Sequence, residues 1–185
     1  MVDSEKIRTA VALFLEAIGE DAARAGLAET PDRVARMCGE LFSGMGKRAA
    51  EPLEKIFSVQ KPGLVIERGI QFHSLCEHHL LPFFGTVDIA YKYGGAVTGL
   101  SKLARAVEIC SRRLQIQENM TSHIADAVMD ALKPEGVAVV VRAEHLCMSM
   151  RGVRSAGART TTVCVRGCFE DDAELRRSVL GSLGL

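Results

Sequence analysis

Cys76-Glu77-His78-His79 places one thiol and two imidazoles within a single turn of chain. Thiolate sulfur and imidazole nitrogen are the donors that zinc prefers. If this stretch makes one helical turn, Cys76 and His79 at i, i+3 converge while His78 projects elsewhere; if it stays extended, Cys76 and His78 share a side. Spacing leaves both arrangements open. A third donor comes from the end of a strand that starts at Val137, where a period of two puts His145 and Cys147 on one face, and Cys147 is the natural candidate. Two cysteines and a histidine leave the fourth tetrahedral position of zinc to water, whereas a structural site closes with a fourth residue. Zinc lowers the pKa of such a water from about 15.7 to about 7, and neighbouring histidines can move protons. The pattern predicts metal-dependent hydrolysis of a small polar substrate.

A second group suits an anion. Lys102 and Arg105 share a helix face near its start, and Arg151 follows Cys147 closely, so the three can hold a phosphate chain. Taken alone, Lys102 and Arg105 read first as a solvated basic face paired with Glu108. Gln117-Glu118, at another helix start, offers a carboxylate that can accept two N–H bonds from a guanine edge, although a first-turn Glu ordinarily only offsets the helix dipole. The other candidates are bland. Cys38 and Cys110 fall on apolar helix stripes, Cys164 and Cys168 share a strand face with no histidine beside them, His73 reads as a strand residue and His123 as a solvated one.

These residues need elements to hold them. Ile7, Val11, Phe14, Leu15 and Ile18 make an amphipathic helix, and Thr30-Pro31 reads as an N-cap and first helical residue of a second one ending before Gly44. Short β-rich runs at Leu64–Ile66, Ile70–Phe72 and Thr86–Tyr91 then flank the loop that carries Cys76. Leu103, Val107, Cys110 and Leu114 give a third helix, and Met120, Ile124, Ala127, Val128 and Ala131 a fourth, stopped by Pro134 and Gly136. Val137–Val141 and Arg159–Cys168 supply two more strands, and a tail helix runs from Asp171. Strand pairs with two interposed helices predict an α+β fold with an antiparallel four-stranded sheet, preceded by N-terminal helices.

At 185 residues, 48% hydrophobic and 25% charged, the chain suits one folded domain. Lysine plus arginine equals aspartate plus glutamate at 23 each, so no global positive field exists to hold nucleic acid. No apolar run reaches the roughly 20 residues that span a bilayer, so no membrane association is expected. The absence of a basic, apolar leader at the N-terminus predicts a cytoplasmic protein whose six cysteines stay reduced.

Three segments together carry a resemblance: SLCEHHLLPF, GLSKLARAVEICSRRLQIQE and EHLCMSMRGV, in that order, preceded by GLAETPDRVARMCGELFSG. They resemble GTP cyclohydrolase I over nearly the whole chain. The resemblance implies that Cys76, His79 and Cys147 bind Zn2+ and that His78 transfers protons instead of ligating. It further implies acid–base roles for His145 and Ser101, a triphosphate and ribose subsite from Ser101, Lys102, Arg105 and Arg151, and a guanine subsite from Gln117 and Glu118. The implied reaction is hydrolysis at C8 of GTP and rearrangement to 7,8-dihydroneopterin triphosphate with release of formate, the first step toward folates and other pterins. The tunnelling fold is implied too, as a helical segment 1–60 and a catalytic core 61–185 of one domain, assembled into a homo-oligomeric toroidal decamer with active sites shared between chains. Ala22, Ala23 and Ala25 depart from the more usual proline and charged residues before the second helix, which bears on capping and not on chemistry.

Rival classes read less well. A zinc-stabilised assembly module would close the site with His78 or His145 and unfold when stripped of metal. A nucleobase deaminase needs H-x-E with P-C-x-x-C, and a zinc protease needs H-E-x-x-H; neither pattern is present. A nitrile reductase of the same fold would use a metal-free cysteine and leave Cys147 and the paired histidines without a purpose.

Overall fold

The computed structural model describes residues 2–185. Helices α1 (Ser4–Ala17) and α2 (Thr30–Leu41) pack on each other, and Arg8 of the first reaches Asp32 of the second. Asp3 caps α1 by accepting from the Lys6 N–H. Thr30 does not cap α2 as expected: it is the first helical residue, Glu29 takes the cap position without a side-chain bond, and Pro31 is the second residue of the helix. A 3-10 turn (Glu51–Glu54) and strand β1 (Ile56–Ser58) close this part of the chain, so the segment expected to be helical ends in a strand, paired antiparallel with β4 (Ala96–Thr98).

The main sheet has the order β5-β2-β3-β6-β7. The four expected antiparallel strands are β2 (Gly63–Cys76), β3 (Pro82–Tyr93), β6 (Gly136–His145) and β7 (Arg159–Gly167). A two-residue β5 (Leu114–Gln115) adds a parallel fifth beside the end of β2. Helices α3 (Leu100–Ser111) and α4 (Gln117–Leu132) lie on one face. The alternation of the strands shows why. Val87, Ile89 and Tyr91 of β3 and Val137, Val139 and Val141 of β6 point into a core with Leu103, Val107, Met120, Ile124 and Val128. Burying each such side chain contributes about 1.5–3 kcal/mol.

The opposite face is covered at one end only. There Ala90, Ala138 and Val140 pack against Phe169 of α6 (Cys168–Asp171) and Val179 and Leu183, in and just after α7 (Ala173–Ser182). Both faces of β6 are therefore buried, which is the physical reason that Val137–Val141 reads as a continuous apolar run instead of an alternating one. The second face also carries one buried charge pair. Asp88 holds Arg142 at 2.6 Å and accepts from the backbone N–H of Gly69 at 2.7 Å. Gly69 has φ +75 at a register shift in β2 between Glu67 and Ile70, so Asp88 pins a bulge that suits glycine. Arg142 in turn donates to the Leu183 carbonyl at 2.6 Å, tying down the end of α7.

Candidate metal centre and anion groove

Strands β2 and β6 both finish at the same end of the sheet, because each is antiparallel to β3 and the pairs Leu75↔Pro82 and Phe83↔His145 lie side by side. After Cys76 the chain makes one turn: the Leu80 N–H donates to the Cys76 carbonyl at 2.9 Å, and the Cys76 N–H to the Leu81 carbonyl at 2.9 Å. Leu80 has φ +55, which ends the turn and sends the chain back into β3. The helical-turn arrangement is thus the one adopted. Past His145 the chain enters a single helical turn, α5 (Leu146–Ser149), which swings Cys147 back over the end of β2.

The result is a three-donor group: one ligand atom each from Cys76, His79 and Cys147, all within 4.8 Å of one another. Cys76 Sγ lies 3.9 Å from Nδ1 of both His78 and His79, so that distance does not separate the two histidines; Cys147 does. His78 stays outside the group with its side chain 64% exposed, beside Glu77. The donor chemistry fits a metal. Burial, and then the neighbouring Cys76, push the Cys147 thiol up, with Arg151 near enough to oppose the shift. Two thiols this close ionise together only when a cation neutralises them. By contrast, Cys110, buried among apolar side chains, is pushed up to about 11 with no partner histidine, and is a packing residue.

His145 flanks the metal group. Its ring stacks on the buried Phe83 at 4.7 Å with an interplanar angle of 2°, and its Nε2 lies 2.7 Å from Gln117 Oε1. Burial holds its pKa below the ordinary histidine value, against a smaller upward pull from nearby Glu118. Glu118 and Arg151 are therefore placed beside the Cys76 end of the sheet, and both are exposed. Gln117 is not: it is 1% exposed, and its side chain is bonded throughout within the chain.

The anion residues sit elsewhere. Lys102 and Arg105 line a groove of about 580 Å³ together with Lys47, Lys55, Glu51 and Glu108. None of the metal donors lines it. Chain direction explains the separation. Helix α3 begins just after β4, beyond the Tyr93 end of β3, and finishes before Leu114, which pairs with Leu75 at the Cys76 end. Ser101 lies about ten residues, hence about 15 Å, up the helix from that end. The structure thus gathers Cys76, His78, His79, Cys147, His145, Gln117, Glu118 and Arg151 at one end of the sheet, and Ser101, Lys102 and Arg105 toward the other. Sequence reasoning missed Phe83, Thr162 and the groove lysines 47 and 55. Only a three-dimensional arrangement reveals them, because a strand threonine or a loop lysine carries no spacing signal of its own.

A largely antiparallel sheet backed by two helices, with a Cys-His-Cys group at one end whose donors could hold a metal, defines an α+β domain with a candidate metal centre. Comparison with known proteins narrows this. The family model for GTP cyclohydrolase I matches residues 7–184. The chain is 52% identical over 178 residues to GTP cyclohydrolase 1 of Clostridium kluyveri, covering 96% of each. It is 53% identical to that of Clostridium perfringens and 52% to that of Streptococcus pneumoniae, with 100% of both chains covered in each case. The protein belongs to the GTP cyclohydrolase I family. Among solved structures, an apo archaeosine synthase QueF-like protein gives a TM-score of 0.44 at 20% identity over 59% of this chain and 96% of its own, too distant to bear on function.

Proposed function

We propose that this protein converts GTP to 7,8-dihydroneopterin triphosphate and formate at a zinc ion held by Cys76, His79 and Cys147. The observation that carries the reading is the convergence of those three donors in a chain more than half identical to named GTP cyclohydrolases. When bound, zinc supplies a Lewis acid and a water whose pKa falls to about 7. The chain's own residues do the rest. His78, exposed at the mouth of the group, protonates N7 as the imidazole ring of GTP opens at C8. Glu118 accepts the N–H groups of the guanine edge, and Ser101, Lys102, Arg105 and Arg151 bind triphosphate and ribose. His145 and Ser101 pass protons as the ribose opens, rearranges and recloses on the pyrimidine. Two waters are consumed in opening the ring and releasing formate, and one is lost on reclosure, so net consumption is one water.

Replacing His78 with alanine tests the acid role. Formate release from the zinc-loaded protein should fall by about 10²- to 10³-fold, the lower part of the range for a lost general acid, because solvent can reach the position. Zinc content should stay unchanged, and loss of the metal in this variant would instead make His78 a ligand. The wild-type assay is the same: formate, plus a pterin that fluoresces after oxidation. Folded, metal-loaded protein that yields neither product from GTP overturns the reading.

The separation of Lys102 and Arg105 from the metal group supports sites shared between subunits of a homo-oligomer, read here as a toroidal decamer of single-domain tunnelling-fold chains in the cytoplasm, without nucleic-acid or membrane partners. Mixing tests this directly. Lys102→Ala and Cys147→Ser chains, each inactive alone, should regain about a quarter of wild-type activity after co-refolding, since random assembly rebuilds one site in four from intact halves. No recovery in assembled mixtures would place both halves in one chain.

A further inference from the structure

The side chain of Gln117 is enclosed by groups whose hydrogen-bonding sense is not free to change. Its Nε2 lies 3.0 Å from the Val141 carbonyl, 3.1 Å from the Thr160 carbonyl and 3.1 Å from Thr162 Oγ1. A carbonyl oxygen only accepts, so the amide nitrogen must face these partners and the amide cannot be turned over without setting oxygen against oxygen. The threonines agree. Thr121 donates its hydroxyl to the backbone carbonyl of Gln117 at 2.7 Å, so the 2.6 Å contact between Thr121 and Thr162 is made by the Thr162 proton. With its proton spent there, Thr162 meets Gln117 as an acceptor. Every direction in the network is thus set by a backbone carbonyl at its end, and Gln117 and Thr121, each 1% exposed, are screened from competing water.

One acceptor remains. Gln117 Oε1 faces His145 Nε2 at 2.7 Å, and it can only accept. We propose that Gln117 is a positioning residue that fixes the proton of neutral His145 on Nε2, leaving the Nδ1 lone pair as the free side of the ring for proton transfer to substrate. Phe83 holds the ring plane by stacking, and Gln117 sets which nitrogen carries the hydrogen. Gln117 then has no group left over for guanine through its side chain, and the base edge falls to Glu118 alone. The proposal rests on the GTP-converting reading for its consequence in turnover, but not for the position of the proton.

Two measurements separate those levels. A neutron structure of the deuterated, zinc-loaded protein should show density at His145 Nε2 and none at Nδ1; density at Nδ1 alone overturns the proposal whatever the enzyme's substrate. Kinetically, Gln117→Met, of similar length but without hydrogen-bonding groups, should lower kcat about 10- to 100-fold, as for other groups that orient a reacting side chain, with KM for GTP within about twofold of wild type. A raised KM with unchanged kcat would show instead that Gln117 holds the base. Because Gln117→Met buries unpaired carbonyls at a cost to folding, Thr162→Val provides a milder arm: it removes the third acceptor around the two amide protons, loosening the amide without reversing it, and should lower kcat by severalfold with KM unaltered. Wild-type kcat in the folded Thr162→Val protein together with an Nδ1 proton in the neutron map would sink the idea, while absent activity in wild type with the proton on Nε2 would sink only the catalytic reading.

Discussion

Cys147→Ser should leave a folded protein that has lost its metal and at least about 10⁴-fold of its activity, since the Lewis acid and the acidified water, each worth several kcal/mol to the barrier, disappear together. The reason for expecting the fold to survive is local. Cys147 is only partly buried, sits in a single helical turn past the end of β6, and packs at the margin of a core built from β3, β6, α3 and α4. The substitution removes one sulfur and leaves that core untouched. Zinc per chain after dialysis, formate release and far-UV circular dichroism make the three readouts. Collapse of the dichroism along with the metal would turn the site into a structural clamp, the rival class that the donor residues alone leave open. Cys168→Ser is the control: that thiol lies by Gly136 and Lys92, at the other end of the sheet, and its loss should alter neither zinc content nor turnover.

How much of this was legible from the residues depends on range. The apolar stripes of α1, α3 and α4 are local signals and locate those helices, and the stop at Pro134, where Lys133 takes φ +46, is local too. But α3 ends at Ser111, so Leu114, expected on its stripe, pairs in β5 instead, and the tail helix begins at Ala173 behind its Asp172 cap, not at Asp171. The donor triad was legible too, because Cys76 and His79 are three residues apart and Cys147 is at a strand end. Choosing His79 over His78 was not readable from spacing, since it turns on whether Leu80 closes a helical turn, and a leucine with positive φ has no sequence signature. Strands β1, β4 and β5 have no sequence signature because two or three residues carry no period, and their pairing is decided by partners about 40 residues away. The direction of the Gln117 amide is further still from the sequence: it depends on carbonyls of Val141 and Thr160, on two other strands.

Arg142→Leu should destabilise the protein by about 3–5 kcal/mol, the cost of leaving a buried carboxylate without its partner. Asp88 sits on the sheet face opposite the metal-side helices with 6% of its side chain exposed, and Arg142 is its only ionic partner among the described residues. The remaining bond from Gly69 cannot replace a guanidinium at 2.6 Å. A second loss accompanies the first, because the Leu183 carbonyl at the end of α7 has its donor in Arg142. Urea unfolding at fixed protein and zinc concentration reads the global effect, and amide exchange in α7 reads the local one, which should exceed that in α4. The double variant Asp88→Asn with Arg142→Leu separates charge from packing. Removing the stranded carboxylate should restore roughly half of the loss, since an amide still accepts from Gly69 without an uncompensated charge. An Arg142→Leu protein as stable as wild type would mean that water reaches Asp88, and the sheet face under α7 would then be open where the structure closes it. Because Arg142 lies three residues before His145 on β6, the same variant also reports on whether the strand's end is held from this side. Formate release per folded chain should be close to wild type if the Phe83 stack and the Gln117 amide alone fix that end of β6.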